Sequence, residues 1–149
     1  MNTLQEYLYS KIPLAQAMQL QVLQAGPEGV VLRAPLAPNI NHIGTAFGGS
    51  ESALAILAAW SVLYERLKAA GTSATIIIQR NSIQYQHPAD AEFTASAYLI
   101  EPDDWQRFMR MLQRHGRARI NISSAIDCEG VCAARFEGDF IATGVSPIV

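Results

Sequence analysis

The sequence predicts an α+β fold in which one long helix is sheathed by a single antiparallel sheet. The first observation is the run from Ala53 to Leu63. Leu54, Leu57 and Trp60 recur there at helical spacing, while Ala53, Ala55, Ile56, Ala58 and Ala59 make the other faces apolar as well. A helix that is apolar all round is expected to be buried all round. The second is the set of strand-like segments on either side, joined by turns rich in Gly, Pro and Asp. The third is their order: short helices, a pair of strands, the apolar helix, then long strands in hairpins, as in a helix laid on an antiparallel sheet. One sheet of this size cannot cover such a helix completely, so a homodimer, or a dimer of dimers, is expected.

A chain of 149 residues, half of them hydrophobic, suits one globular domain spanning residues 1–149. Its net charge of −2 argues against nucleic acid as a partner. The N-terminal stretch lacks the basic-then-apolar order of a signal peptide. The apolar helix is shorter than the roughly 20 apolar residues that cross a bilayer. No membrane partner is therefore expected, and a cytoplasmic location is. Cys128 and Cys132 flank Glu129-Gly130 at a hairpin tip. Cys128 then opposes Val131 and Cys132 opposes Asp127, on opposite faces, which disfavours a disulfide. Two lone thiols make no zinc site, so no metal and no cofactor is expected.

In chain order, Thr3-Leu-Gln-Glu6 has the spacing of a capping box and opens a short helix carrying Leu4, Tyr7 and Leu8. Pro13 suits the first turn of another, to about Met18. Leu20–Ala25 and Val30–Leu36 read as strands joined by Gly26-Pro-Glu-Gly29, with Pro35 and Pro38 stopping the second. The long helix is expected from about Gly49 to Ala70, with Gly71 as its C′ residue. Thr75–Gln79 is continuously apolar and reads as a buried strand that continues to Tyr85. His87-Pro-Ala-Asp90 turns the chain into an alternating strand, 92–100. Pro102–His115 forms a helix with the stripe Trp105, Phe108, Met109 and Leu112; Asp103 or Asp104 is its expected cap and Gly116 its end. Arg117–Asp127 and Val131–Thr143 complete a hairpin.

The chemistry concentrates in Asn39–Ser50, whose glycines and asparagines describe a tight loop entering the long helix. The first amides of that helix, at or near Gly48, Gly49 and Ser50, point back at the loop, where they attract an anion or a polarised carbonyl oxygen.

At Asn41-x-x-Gly44-x-x-Phe47-Gly48-Gly49, and again at Tyr85-x-x-Pro88, the sequence resembles the hotdog-fold thioesterases. The fuller string Asn41-His-x-Gly-Thr-Ala-Phe-Gly-Gly-Ser50, with Trp60 in the helix, is most similar to the domain that follows an acetyltransferase domain in YiiD-type bacterial proteins. The resemblance spans nearly the whole chain, and the domain is expected to stand alone here. It implies hydrolysis of acyl-CoA or acyl-carrier-protein thioesters, with a backbone N–H at Gly48 or Gly49 polarising the carbonyl. A carboxylate would then act as nucleophile or activate water. Two departures stand out: Phe47 replaces the histidine of His-Gly-Gly, and Ile56 occupies the helix position where many relatives carry the catalytic carboxylate.

The remaining candidates carry alternatives. Asn41 orients a carbonyl or water, or merely holds the turn. His42 shuttles protons, or is surface. Glu51 is the carboxylate close to the loop, either a base or a charge favourable to the helix dipole, and near that positive end a low pKa is expected. Phe47 and Ser50 border the expected substrate position, although Ser50, like Ser52, suits a helix start better than a nucleophile. His87 is expected to be exposed, and Asp90 to shape its turn. Asn81 and Ser82 mark a wet pocket or an ordinary solvent face. Arg107, Arg110 and Arg114 share one helix face, followed by Arg117 and Arg119. They form either a solvated surface or the contact for phosphates and acidic carriers. The alternative function is a non-catalytic acyl-binding or partner-docking domain.

Overall fold

The computed structural model describes residues 3–98 and 100–148. Helices α1 (Thr3–Lys11) and α2 (Pro13–Ala17) lead into the hairpin of β1 (Gln21–Gly26) and β2 (Gly29–Ala34). A 3-10 turn, Ala37–Asn39, precedes the long helix α3 (Gly48–Ala69). Then come β3 (Thr72–Tyr85), β4 (Phe93–Tyr98), α4 (Pro102–His115), β5 (Arg117–Cys128) and β6 (Val131–Pro147). The strands form one antiparallel sheet in the order β1-β2-β4-β5-β6-β3. The sheet wraps α3, whose Leu54, Ala55, Ala58, Ala59, Val62 and Leu63 are fully buried together with Phe93, Phe140 and Leu32. Ser124 Oγ donates to the Ala55 carbonyl at 3.0 Å and pins β5 to the helix. This is the hotdog arrangement.

The local signals act as the chemistry requires. Gly71 closes α3 at φ 72° and Gly116 closes α4 at φ 70°, both in the left-handed region that glycine enters without strain. Glu129 and Gly130 both take positive φ at the β5–β6 tip, a type I′ hairpin; Cys128 pairs with Val131 and Cys132 with Asp127. Helix α1 begins at Thr3, so its capping position falls outside the described residues. Leu99 of the expected 92–100 strand also lies outside them. Helix α4 is capped by Glu101 rather than by Asp103 or Asp104, because Pro102 fits the first helical position, where no N–H is needed.

Two expectations about burial are corrected. Strand β3 is not buried throughout: it is the sheet edge, and alternation turns Ile76 inward while Ile77 is 53% exposed. Nor is α3 covered on every side, since Ala53, Ile56, Trp60 and Tyr64 form a half-buried stripe. Part of that stripe is roofed by α1: Tyr7 stacks on Trp60 and Tyr64 at 6.1 and 5.1 Å. Trp60 Nε1 donates to the Ile76 carbonyl at 3.1 Å, tying the stripe to the edge strand. No helix among the described residues is long and apolar enough to cross a membrane.

Candidate active site

The loop before α3 is built around one asparagine. Asn41 Oδ1 accepts from the amides of Ile43 and Thr45, both at 3.0 Å, and Nδ2 donates to Thr45 Oγ1 at 2.8 Å and the Ala46 carbonyl at 3.4 Å. Gly44 supplies the positive φ, 88°, that this tight turn needs. Below it, buried Asn39 donates from Nδ2 to the Met18 and Pro35 carbonyls, and its own carbonyl accepts from the Phe47 amide at 2.7 Å. The Ala46 amide donates to the Ala89 carbonyl at 2.7 Å, so the loop is bonded to the turn that follows β3.

That bond closes a cavity of about 440 Å³ between the start of α3 and the segment 85–89. Gly48, Gly49 and Glu51 line one side, and Tyr85, Gln86, His87 and Pro88 the other. Phe47 caps α3 through its backbone, its carbonyl accepting from the Ser50 and Glu51 amides at 2.9 and 3.1 Å. The Gly48 and Gly49 amides have no acceptor among the described residues. At both glycines an aromatic side chain comes close. A Cβ on Gly48 would stand 3.2 Å from the Tyr85 ring, and one on Gly49 would stand 2.3 Å from the Phe47 ring. Both rings are more than half exposed.

Glu51 is only 3% exposed, and its side chain has no hydrogen-bond or ion-pair partner among the described residues. Burial pushes its carboxyl from 4.5 up to about 7. The expected low pKa is corrected: desolvation in an apolar wall outweighs the favourable helix end. Between those two values the folded chain keeps a proton that the unfolded chain has lost, so stability falls as pH rises through this window. The full shift corresponds to about 3 kcal/mol, reduced to the extent that cavity water screens the carboxylate. Glu51→Gln should therefore match the unaltered protein near pH 4 and exceed it in stability at pH 8, as measured by urea unfolding. Lower stability of the variant at pH 8 would contradict this assignment.

Of the residues singled out from sequence, Gly48, Gly49 and Glu51 come together in the cavity, while the Phe47 ring lies against Gly49 and is not among the lining residues. Asn41 is committed to the loop, His42 is exposed, and half-buried Ser50 spends its amide on the Phe47 carbonyl; none of the three lines the cavity. Asn81 and Ser82 are exposed on β3, beside the network in which Asp139 accepts from Arg80 at 2.9 Å and from Asn121 at 2.8 Å. Asp90 is exposed and does not line the cavity. Arg107, Arg110 and Arg114 are exposed on α4, where Arg107 pairs with Asp104 at 3.4 Å. Arg119 shares a sheet row with Ile77, eight residues along β3 from Tyr85. Arg119 thus stands roughly 26 Å from its own chain's cavity at strand spacing. Tyr85 lines the cavity without having been assigned a role in advance, although Tyr85-x-x-Pro88 was the second string of the resemblance, and His87, expected only to be exposed, is exposed and lines it too.

A family model described as "Putative thioesterase (yiiD_Cterm)" matches residues 1–144. Among solved structures, a protein of unknown function from Chlorobaculum tepidum is 25% identical, with TM-score 0.89, covering 94% of this chain and 91% of that one. A protein from Shewanella oneidensis described as a putative thioesterase is 24% identical, with TM-score 0.85 and 95% of each chain covered. One from Pseudomonas aeruginosa described as a probable thioesterase is 22% identical, with TM-score 0.80 and 96% of each covered. The last two likenesses show the fold.

Proposed function

We propose that this chain, which belongs to the YiiD_C family, hydrolyses acyl thioesters with Glu51 as general base and the Gly48-Gly49 amides as carbonyl donors. The observation that carries the reading is that one cavity is lined by the buried Glu51, whose carboxyl has no partner among the described residues, and by Gly48 and Gly49, whose amides have no acceptor among them. A pKa near 7 suits a base at neutral pH, because enough of it is ionised and its proton affinity is high. In the proposed step Glu51 takes a proton from a water as its oxygen attacks the thioester carbon. The carbonyl oxygen gains charge against the Gly49 amide, where one fixed donor lowers a barrier by roughly 3 kcal/mol. The C–S bond then breaks, and the leaving thiolate takes the proton held by Glu51, which regenerates the base. Glu51 takes the place of a carboxylate at Ile56, whose side chain lies in the half-buried stripe of α3.

The acyl group is carried by CoA or by an acyl carrier protein in the cytoplasm, and the arginines of α4 and β5 are its contact. A homodimer reconciles their distance from the cavity. Antiparallel pairing of two β3 edges would carry the second copy's Arg117–Arg119 end toward this copy's Tyr85, and would cover Ile77. Light scattering should give twice 16.2 kDa, and a single-chain mass would end the dimer reading. Reversing both Arg110 and Arg114 to Glu should weaken acyl-carrier binding and flatten its salt dependence, with the fold intact. Unchanged affinity at low salt would make the cluster a solvated face. The function itself is tested by thiol release from acyl-CoA and acyl-carrier-protein thioesters. Binding without release would favour the non-catalytic acyl-binding alternative suggested by Phe47 and Ile56.

A further inference from the structure

We infer that Tyr85 is a positioning residue that aims and strengthens the Gly49 amide; this rests on the thioesterase reading above. Tyr85 ends the edge strand β3, where pairing with Ala134 fixes its backbone. Its phenol donates to the Gly48 carbonyl at 2.8 Å. That carbonyl and the Gly49 N–H belong to the same planar peptide unit and point in opposite directions. Holding the oxygen, beside the helix's own bond to it, therefore restrains the direction of the N–H. The N–H has no acceptor among the described residues, and Gly49 lines the cavity together with Glu51 and Tyr85.

The bond also acts electronically. A donor on a peptide oxygen draws charge toward that oxygen and makes the N–H of the same unit a stronger donor, the cooperative effect of hydrogen-bond chains. Helix α3 supplies the N–H and, through the Ser52 amide, one bond to the Gly48 carbonyl, so the phenol is a second donor on the same oxygen at the start of the helix. The residue before it is Phe47, whose side chain makes no capping bond. Gly48 and Gly49 have no side chains to restrict them, and the Tyr85 ring lies close against Gly48, where a Cβ would stand 3.2 Å from it. The phenol remains a donor over the working pH range, because burial and the nearby Glu51 charge both raise its pKa.

Tyr85→Phe keeps the ring and removes the hydroxyl. On the acyl-CoA that the unaltered protein hydrolyses fastest, kcat should fall about tenfold, less than for loss of a direct donor. KM should stay within about twofold, since the ground-state contact is spared. In the free protein the Gly49 amide proton resonance should move upfield, a change that lost packing alone would not confine to that peptide. Unchanged kcat with an unmoved Gly49 resonance would overturn the assignment, as would a rise in KM with kcat intact. Absence of turnover by the unaltered protein would instead end the thioesterase reading, leaving the Gly49 resonance to decide the role of Tyr85.

Discussion

Replacing Glu51 with Gln is expected to lower kcat by at least about a hundredfold, the usual scale for losing a general base. Glutamine has nearly the same shape and can fill the same wall of the cavity, but it cannot accept a proton at neutral pH. The loss should therefore appear in kcat with KM little changed. Stability argues in the same direction. The native carboxyl is buried with no side-chain partner among the described residues. Its replacement by a neutral amide removes a charge that folding must desolvate. A variant that is slower and, at pH 8, more stable is the signature of a residue kept for chemistry rather than for the fold. Full activity in the variant would make Glu51 an incidental buried acid and leave His87, across the cavity, as the base to test.

Asn41→Ala should have the second large effect, on stability first. The native side chain satisfies the Ile43 and Thr45 amides and donates to Thr45 Oγ1 and the Ala46 carbonyl. Truncation strands the part-buried Thr45 amide and the Ala46 carbonyl, at about 1–3 kcal/mol for each group that water cannot reach. A total near 3 kcal/mol corresponds to a fall in Tm of roughly 6–12 °C for a chain of this size. Activity should fall as well, because the Ala46–Ala89 bond that closes the cavity hangs from this loop. Thermal melting with activity measured well below Tm separates the roles. A large loss of activity with Tm unchanged would show that Asn41 touches substrate, against its observed commitment to the loop.

How much of this was legible in the sequence depends on how far apart the cooperating residues lie. The start and end of α3 were written locally, in Phe47-Gly-Gly-Ser50 and Gly71, and the α4 stripe in the spacing of Trp105, Phe108 and Leu112. The hairpin register at Cys128 and Val131 followed from one two-residue turn. The buried state of Glu51 was not legible. It depends on the segment 85–89 closing over the helix start, and Tyr85 reaches Gly48 across 37 residues. A helix end alone lowers a carboxyl pKa, and only the folded wall reverses that sign. Apolar continuity in Thr75–Gln79 was likewise ambiguous. Such a run suits an interior strand or an edge awaiting a second chain, and periodicity does not separate them. Phe47 and Ile56 pointed away from catalysis because the expected carboxylate was sought further along the helix, whereas Glu51 stands within its first turns.

The most direct test is the pH dependence of kcat/KM for thiol release from a panel of acyl-CoA thioesters, with Glu51→Gln alongside. With Glu51 as the base, the rate should rise with pH through an apparent pKa near 7 and level off above it, and the variant should lose this limb. Release that is absent across the panel, or that shows the same pH limb in the variant, would contradict the assignment of Glu51 as the catalytic base.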